Sequence, residues 1–223
     1  MNAIAPTLRE GLARLAVRRA EKVESLLDRY LDELERWNPR FGFVKAESRS
    51  DFIVKHVLDS LAAWRSVEEE ANGGSILDVG AGAGFPGVPL AVALPANSIV
   101  LLERSTKKVA FLRSCKALLG LVGMEVIQGD LADASGRGMF DVVTFRALAP
   151  LSRFLTDVGT SGLRFRTLIA YKGRIAKAVA ELENVRRSMA YLRRAEIVPI
   201  TVPFLDEERC VVVLSTGPAS DRY

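Results

Sequence analysis

Between Ile76 and Gly87 the chain reads Ile-Leu-Asp-Val-Gly-Ala-Gly-Ala-Gly-Phe-Pro-Gly, and few folds accommodate that order of residues. A short apolar run enters a turn of alternating glycines, and an apolar helical window follows directly. Glycine lacks Cβ, so the backbone can reverse sharply and come close to a ligand. The helix behind the turn offers free N–H groups and the positive end of its dipole. The stretch predicts a strand–turn–helix unit with a nucleotide-like ligand lying across the strand ends of an open α/β sheet.

The sequence beyond this turn supports such a sheet. After Asn72-Gly73-Gly74, β-branched apolar runs alternate with helical windows. Strands are expected over Ser75 to Val79, Ser98 to Glu103, Met124 to Gln128, Phe140 to Phe145 and Arg166 to Tyr171. Helices are expected over Pro86 to Leu94, Thr106 to Leu119, Leu148 to Asp157 and Ile175 to Arg194. Uninterrupted apolar strands suit a parallel sheet covered on both faces, and the alternation means right-handed βαβ units. Glu196 to Val202 and Arg209 to Leu214 flank a short hairpin-like gap, so this last pair is expected to be antiparallel. The first 37 residues read as helix, with apolar stripes at Leu8, Leu12 and Leu15 and at Val23, Leu27, Leu31 and Leu34. Pro39 is expected to stop that helix at Asn38. A further helix fits Asp51 to Trp64, with Asp51 as its N-cap. The expected fold is α/β and Rossmann-like, a seven-stranded, mostly parallel sheet with an antiparallel last strand. Residues 1–64 would form a helical extension and 73–215 the ligand-binding core, together one domain over 1–223.

Two ligand classes compete for the turn. Gly82-Ala83-Gly84-Phe85-Pro86-Gly87 satisfies the dinucleotide pattern G-x-G-x-x-G, and Glu103 follows Gly82 by 21 residues. That keeps a nicotinamide-dependent oxidoreductase open. The glycine run begins earlier, however, at Gly80, and Asp78 lies inside the strand just before it. A carboxylate suits a pyrophosphate poorly and suits a ligand carrying an amino group and a sulfonium well. The pattern Asp78-x-Gly80-x-Gly82-x-Gly84 resembles the first motif of Rossmann-like, class I methyltransferases, whose cofactor is S-adenosylmethionine. In that comparison Glu103 would accept the ribose hydroxyls.

Several boxes carry a narrower resemblance. They are Trp37-Asn38, Lys55-His56-Val57-Leu58-Asp59-Ser60, Leu77 to Leu90, Lys107-Lys108-Val109-Ala110-Phe111-Leu112, Phe140 to Leu151, Tyr171-Lys172-Gly173 and Asp206 to Val213. In order and spacing the chain resembles the ribosomal small-subunit methyltransferase G (GidB) family over roughly residues 30–215. The resemblance implies methylation of N7 of one guanine in a loop of 16S ribosomal RNA. By position it implies cofactor contacts at Gly80, Phe85, Glu103, Leu131, Ala132 and Arg146, beside Asp78 and Gly82 of the turn. Leu131 and Ala132 would hold the adenine edge mainly through backbone. The chain departs from the family pattern at Gly42-Phe43-Val44, where Asn-Leu-Thr is usual, and at Glu103, where Asp is more usual.

The chemistry agrees with what the residues offer. Guanine N7 is an exposed acceptor that carries no proton, so its methylation needs positioning and no general base. Neither an Asn/Asp-Pro-Pro-aromatic box, expected for exocyclic amines, nor a cysteine at an expected site loop is found. His56 and Lys172 are the substrate-side candidates, His56 with an alternative role in packing. Arg146 and Lys172 both end expected strands. Arg104, Lys107, Lys108, Arg113 and Lys116 form either a phosphate-facing stripe or an ordinary solvated helix face. Arg186, Arg187, Arg193 and Arg194 are expected to be solvated.

Composition bounds the setting. With 31 basic and 27 acidic residues the net charge of +4 permits a nucleic-acid partner without requiring one. One histidine and two distant cysteines, Cys115 and Cys210, argue against a metal site. With neither a membrane-spanning run nor an export signal, the expectation is a cytoplasmic monomer with reduced thiols, acting on 16S ribosomal RNA or the small subunit.

Overall fold

The computed structural model describes residues 7–188 and 192–216. Helix α1 (Leu8–Arg14) starts at Thr7, whose hydroxyl accepts from the Glu10 amide at 3.2 Å. The expected continuous helix is broken here, because Ala16 and Arg19 adopt left-handed φ of 50° and 53°. The reversal folds α1 back so that Leu8 and Leu12 reach the same core as Val23 and Leu27 of α2 (Ala20–Phe41). Pro39 lies inside α2 and does not stop it. Pro39 removes one i→i−4 bond, to Glu35 O, but the helix runs on to Phe41, where Gly42 closes it at φ 60° with its N–H on Asn38 O at 2.8 Å.

The next helical stretch differs from expectation at both ends. Ser48, not Asp51, is the N-cap of α3 (Arg49–Phe52). Asp51 instead accepts from the Glu47 amide at 3.0 Å and pairs with Lys55 at 2.7 Å. A π-helical turn, Ile53–Leu58, leads into α4 (Asp59–Leu61), and α5 (Trp64–Ala71) carries the chain to the sheet.

The sheet comprises β1 (Ser75–Val79), β2 (Ser98–Glu103), β3 (Met124–Gln128), β4 (Met139–Arg146), β5 (Arg164–Lys172), β6 (Leu192–Ile200) and β7 (Arg209–Thr216). Its order is β3-β2-β1-β4-β5-β7-β6. Strand β7 runs antiparallel to both neighbours, and the other pairs are parallel. The intervening helices are α6 (Gly87–Ala93), α7 (Thr106–Leu119), α8 (Leu131–Ser135), α9 (Leu151–Ser161) and α10 (Ile175–Ser188). Helix α9 begins later than expected, since Ala147 turns left-handed at φ 52° and Pro150 precedes the first turn. Helix α10 ends at Ser188, short of Arg194, because the residues from Leu192 pair with β7 in a ladder reaching Ile200↔Arg209. Arg194 is therefore not simply solvated; it bridges Glu70 and Glu196.

Alternate strand residues face two apolar cores. Ile76, Ile99, Leu101 and Val142 pack with α1, α2, α5, α6 and α7. Leu77, Val100, Val143 and Leu168 pack with α8, α9 and α10. The N-terminal helices thus share one core with a face of the sheet, which covers strands that read as wholly apolar.

Candidate functional site at the C-terminal strand ends

The glycine turn after β1 is fixed from several sides. Gly80, Gly82 and Gly84 take φ of 69°, 61° and 106°, the left-handed region where a side chain is strained. The Gly80 and Ala81 amides donate to Leu102 O at 2.8 and 3.1 Å. Glu103 closes β2 beside the turn. One carboxylate oxygen accepts from the Gly82 amide at 2.9 Å and the other from the Ser105 amide at 2.8 Å. From the helical extension, the Tyr30 hydroxyl donates to Ala83 O at 2.6 Å. Asp78 lies beneath the turn with no exposed surface. Its Oδ2 accepts from the Gly87 amide at 2.9 Å, at the start of α6, while Oδ1 is buried without a partner. Burial pushes the Asp78 carboxyl up to about 7, against the opposing effect of the Gly87 hydrogen bond.

A cavity of about 930 Å³ opens where β1, β4 and β5 end. Of the residues singled out from sequence, Gly80, Gly82, Phe85, His56, Arg146 and Lys172 line it. Asp78 and Glu103 do not; they brace the turn that does. Leu131 and Ala132 open α8 away from the cavity wall, and the Ala132 amide donates to Asp130 Oδ1 at 2.9 Å.

Arg146, at the end of β4, is held on every side. It donates to Asp59 Oδ2 at 2.9 Å, to Lys55 O at 3.0 Å and to His56 Nδ1 at 3.0 Å, and its guanidinium lies 5.2 Å from the Phe85 ring centroid. A guanidinium only donates, so Nδ1 accepts and the imidazole proton sits on Nε2, which donates to Lys45 O at 3.3 Å. Burial, reinforced by the Arg146 charge, lowers the His56 pKa to about 4. The ring stacks on Phe85 with centroids 5.2 Å apart. Asp59, only 4% exposed, shares its second oxygen with Arg209 at 3.0 Å. Lys172 pairs with Glu181 at 2.6 Å, and Glu181 also accepts from the Leu151 amide at 2.9 Å. Burial alone would raise the Glu181 carboxyl, but these partners hold it below its ordinary value.

Sequence reasoning did not single out Asp59, Arg209 or Glu181 as functional. Its place in the Lys55–Ser60 box was the available signal for Asp59. Arg209 falls in the Asp206–Val213 box, but nothing local showed that it meets Asp59, 150 residues away. Cys115 and Cys210 are free, buried thiols raised by burial, and neither lines the cavity. Among the described residues, no group of three or more His, Cys, Asp or Glu side chains could hold a metal ion. No helix among them is long and apolar enough to cross a membrane.

A sheet of this order, its reversed β7 and a glycine turn leading into α6 define a Rossmann-like methyltransferase fold. Solved structures match it. The METTL16 MTase domain superposes with a TM-score of 0.63 at 14% identity, covering 89% of this chain and 82% of that one. A methyltransferase from Geobacter sulfurreducens gives 0.56 at 16% identity, covering 88% and 98%. The family model for GidB, rRNA small subunit methyltransferase G, matches residues 23–210, and the chain belongs to that family. The ribosomal RNA small subunit methyltransferase G of Cupriavidus necator is 36% identical over 219 residues, covering 93% of each chain. That of Treponema pallidum (strain Nichols) is 36% identical over 219 residues, covering 96% of this chain and 95% of its own. The oxidoreductase alternative raised by the overlapping glycine pattern therefore gives way to a methyltransferase.

Proposed function

We propose that the chain transfers a methyl group from S-adenosylmethionine to N7 of a guanine in a loop of 16S ribosomal RNA, acting as a cytoplasmic monomer without a metal. The observation that carries the reading is that, among the described residues lining the cavity, each carboxylate and the one imidazole is already engaged by a hydrogen-bond or ion-pair partner. His56 is neutral, with both nitrogens engaged. Asp59 lies between two arginines, and Glu181 is tied to Lys172. A site built this way suits an acceptor atom that has no proton to lose, as guanine N7 does not.

The residues present fit the cofactor. Glycines on the cavity floor let an adenosyl group approach the backbone, where a Cβ at Gly80 would come 2.7 Å from Leu148 Cδ1. When bound, S-adenosylmethionine supplies an electrophilic methyl on a sulfonium. Each Glu103 oxygen accepts one amide hydrogen bond, so the carboxylate keeps lone pairs for the ribose hydroxyls. Asp78 props the turn through Gly87, and Phe85 and Arg146 form the inner wall; Leu131 and Ala132 do not line the cavity, and any backbone contact they make with the adenine would come from beyond its wall. His56 and Lys172 stand on the substrate side. Calorimetry separates the cofactor classes: S-adenosylmethionine binds, and NAD does not. Tight NAD binding without S-adenosylmethionine binding would overturn the assignment.

A further inference from the structure

We propose that Phe43 is the stacking platform for the guanine that enters the site, an inference that rests on the RNA reading above. Phe43 borders the cavity and is half-buried. It belongs to a cluster of aromatic rings with Trp37, Phe41 and Phe111, of which it alone lines the cavity. Its ring is nearly parallel to that of Phe41, with centroids 5.4 Å apart at 10°, and lies 6.3 Å from Trp37 at 27°. Phe111, fully buried in α7, supports it at 5.4 Å. The other aromatic side chains on the cavity wall are less available. Phe85 and Tyr171 are each only 4% exposed, and His56 is stacked on Phe85 with both nitrogens engaged.

The backbone holds Phe43 in place. Gly42 turns left-handed at φ 60°. One residue beyond Phe43, the Asn38 side chain clamps Val44 through two hydrogen bonds of 2.9 Å, one to its carbonyl and one from its amide. A ring fixed on both sides of its own backbone loses little freedom when a base stacks on it. The surroundings also suit RNA. The Lys107 ammonium lies 5.6 Å and the Arg40 guanidinium 5.2 Å from the Phe41 ring, and Lys108 lines the cavity itself. Aromatic faces flanked by cations are how proteins hold unpaired bases whose phosphates run alongside. A guanine splayed from a loop and laid on Phe43 has its base edges directed along the plane of the ring, leaving N7 accessible.

Steady-state methyl transfer to unmodified small ribosomal subunits and to 16S RNA transcripts tests the assignment, with Phe43→Ala, Phe43→Leu, Phe43→Tyr and Phe43→Trp. Stacking predicts that Ala and Leu each raise KM for RNA about tenfold with S-adenosylmethionine affinity at its wild-type value; Ala also lowers the melting temperature through lost packing on Phe111, and Leu, which keeps most of that packing, melts close to wild type. Tyr and Trp restore KM. A Leu variant with wild-type KM would overturn the proposal, as would losses that track cofactor affinity or melting temperature, or aromatic replacements that rescue nothing. If the wild-type protein transfers no methyl to either RNA, the functional reading fails and takes this proposal with it. Transfer by the wild type with an indifferent Phe43→Leu overturns the platform alone.

Discussion

Arg146 shows how much of this site depends on single residues. Its guanidinium satisfies a carboxylate, a carbonyl and an imidazole nitrogen together, a geometry suited to a planar fork and not to a lysine ammonium. Arg146→Ala leaves Asp59 with Arg209 as its remaining ion-pair partner at a nearly buried position. We expect it to lower stability by about 3 kcal/mol in denaturant unfolding, and to weaken cofactor binding and transfer together. Arg146→Lys should recover little of either, and a lysine variant equal to wild type would contradict the account. Titration gives a second residue-scale prediction. His56 has a folded pKa depressed to about 4, below its unfolded 6.5, so its contribution is present above pH 6.5 and is lost as pH falls through 4. Asp78 has a folded pKa raised to about 7 from 3.8, so its contribution is present below pH 3.8 and is lost as pH rises through 7. The two slopes oppose each other. His56→Gln should unmask a melting temperature that falls with rising pH between 4 and 7, and Asp78→Asn one that rises over the same range. Parallel profiles for both variants would exclude this assignment.

At the scale of elements, the sequence was most legible where one kind of periodicity ran unopposed. Strands β1, β2 and β3 and helix α7 have the expected bounds, because their apolar patterns end at glycines or polar turns. Legibility failed where distant contacts decided the outcome. The end of α10 and the start of β6 are set by pairing with β7, and the break after α1 by the core it shares with α2. The short helix α8 was missed, although its capping box from Asp130 to Asp133 was written in the sequence. The site divides in the same way. The glycine turn, Arg146 and Lys172 lay at readable strand ends, whereas the Asp59–Arg209 contact joins segments no local pattern connects. The junction of β1 with α6 allows a sharp test. A Cβ at Gly87 would run into Leu101 and come 2.6 Å from Asp78 Oδ2, so α6 cannot keep its place over the turn. Gly87→Ala should cost about 2–3 kcal/mol of stability and weaken S-adenosylmethionine binding. A variant with wild-type melting and affinity would show that this close approach is dispensable.

Taken whole, the molecule places a cavity lined by several cations where the parallel strands end, with the N-terminal segment packed on one sheet face and supplying Tyr30, Phe43, His56 and Asp59 to the site. Neither segment makes the site alone: Tyr30 fixes the glycine turn, and Asp59 positions an arginine from β4 and another from β7. The chemistry we propose for it is transfer to an atom that needs positioning and no deprotonation. The most direct measurement is to incubate the protein with methyl-labelled S-adenosylmethionine and unmodified small ribosomal subunits or 16S RNA, digest the RNA to nucleosides and separate them. The account predicts that the label elutes with 7-methylguanosine and maps to a single loop guanine. Label in another nucleoside, or recovered only in protein or small metabolites, would contradict it.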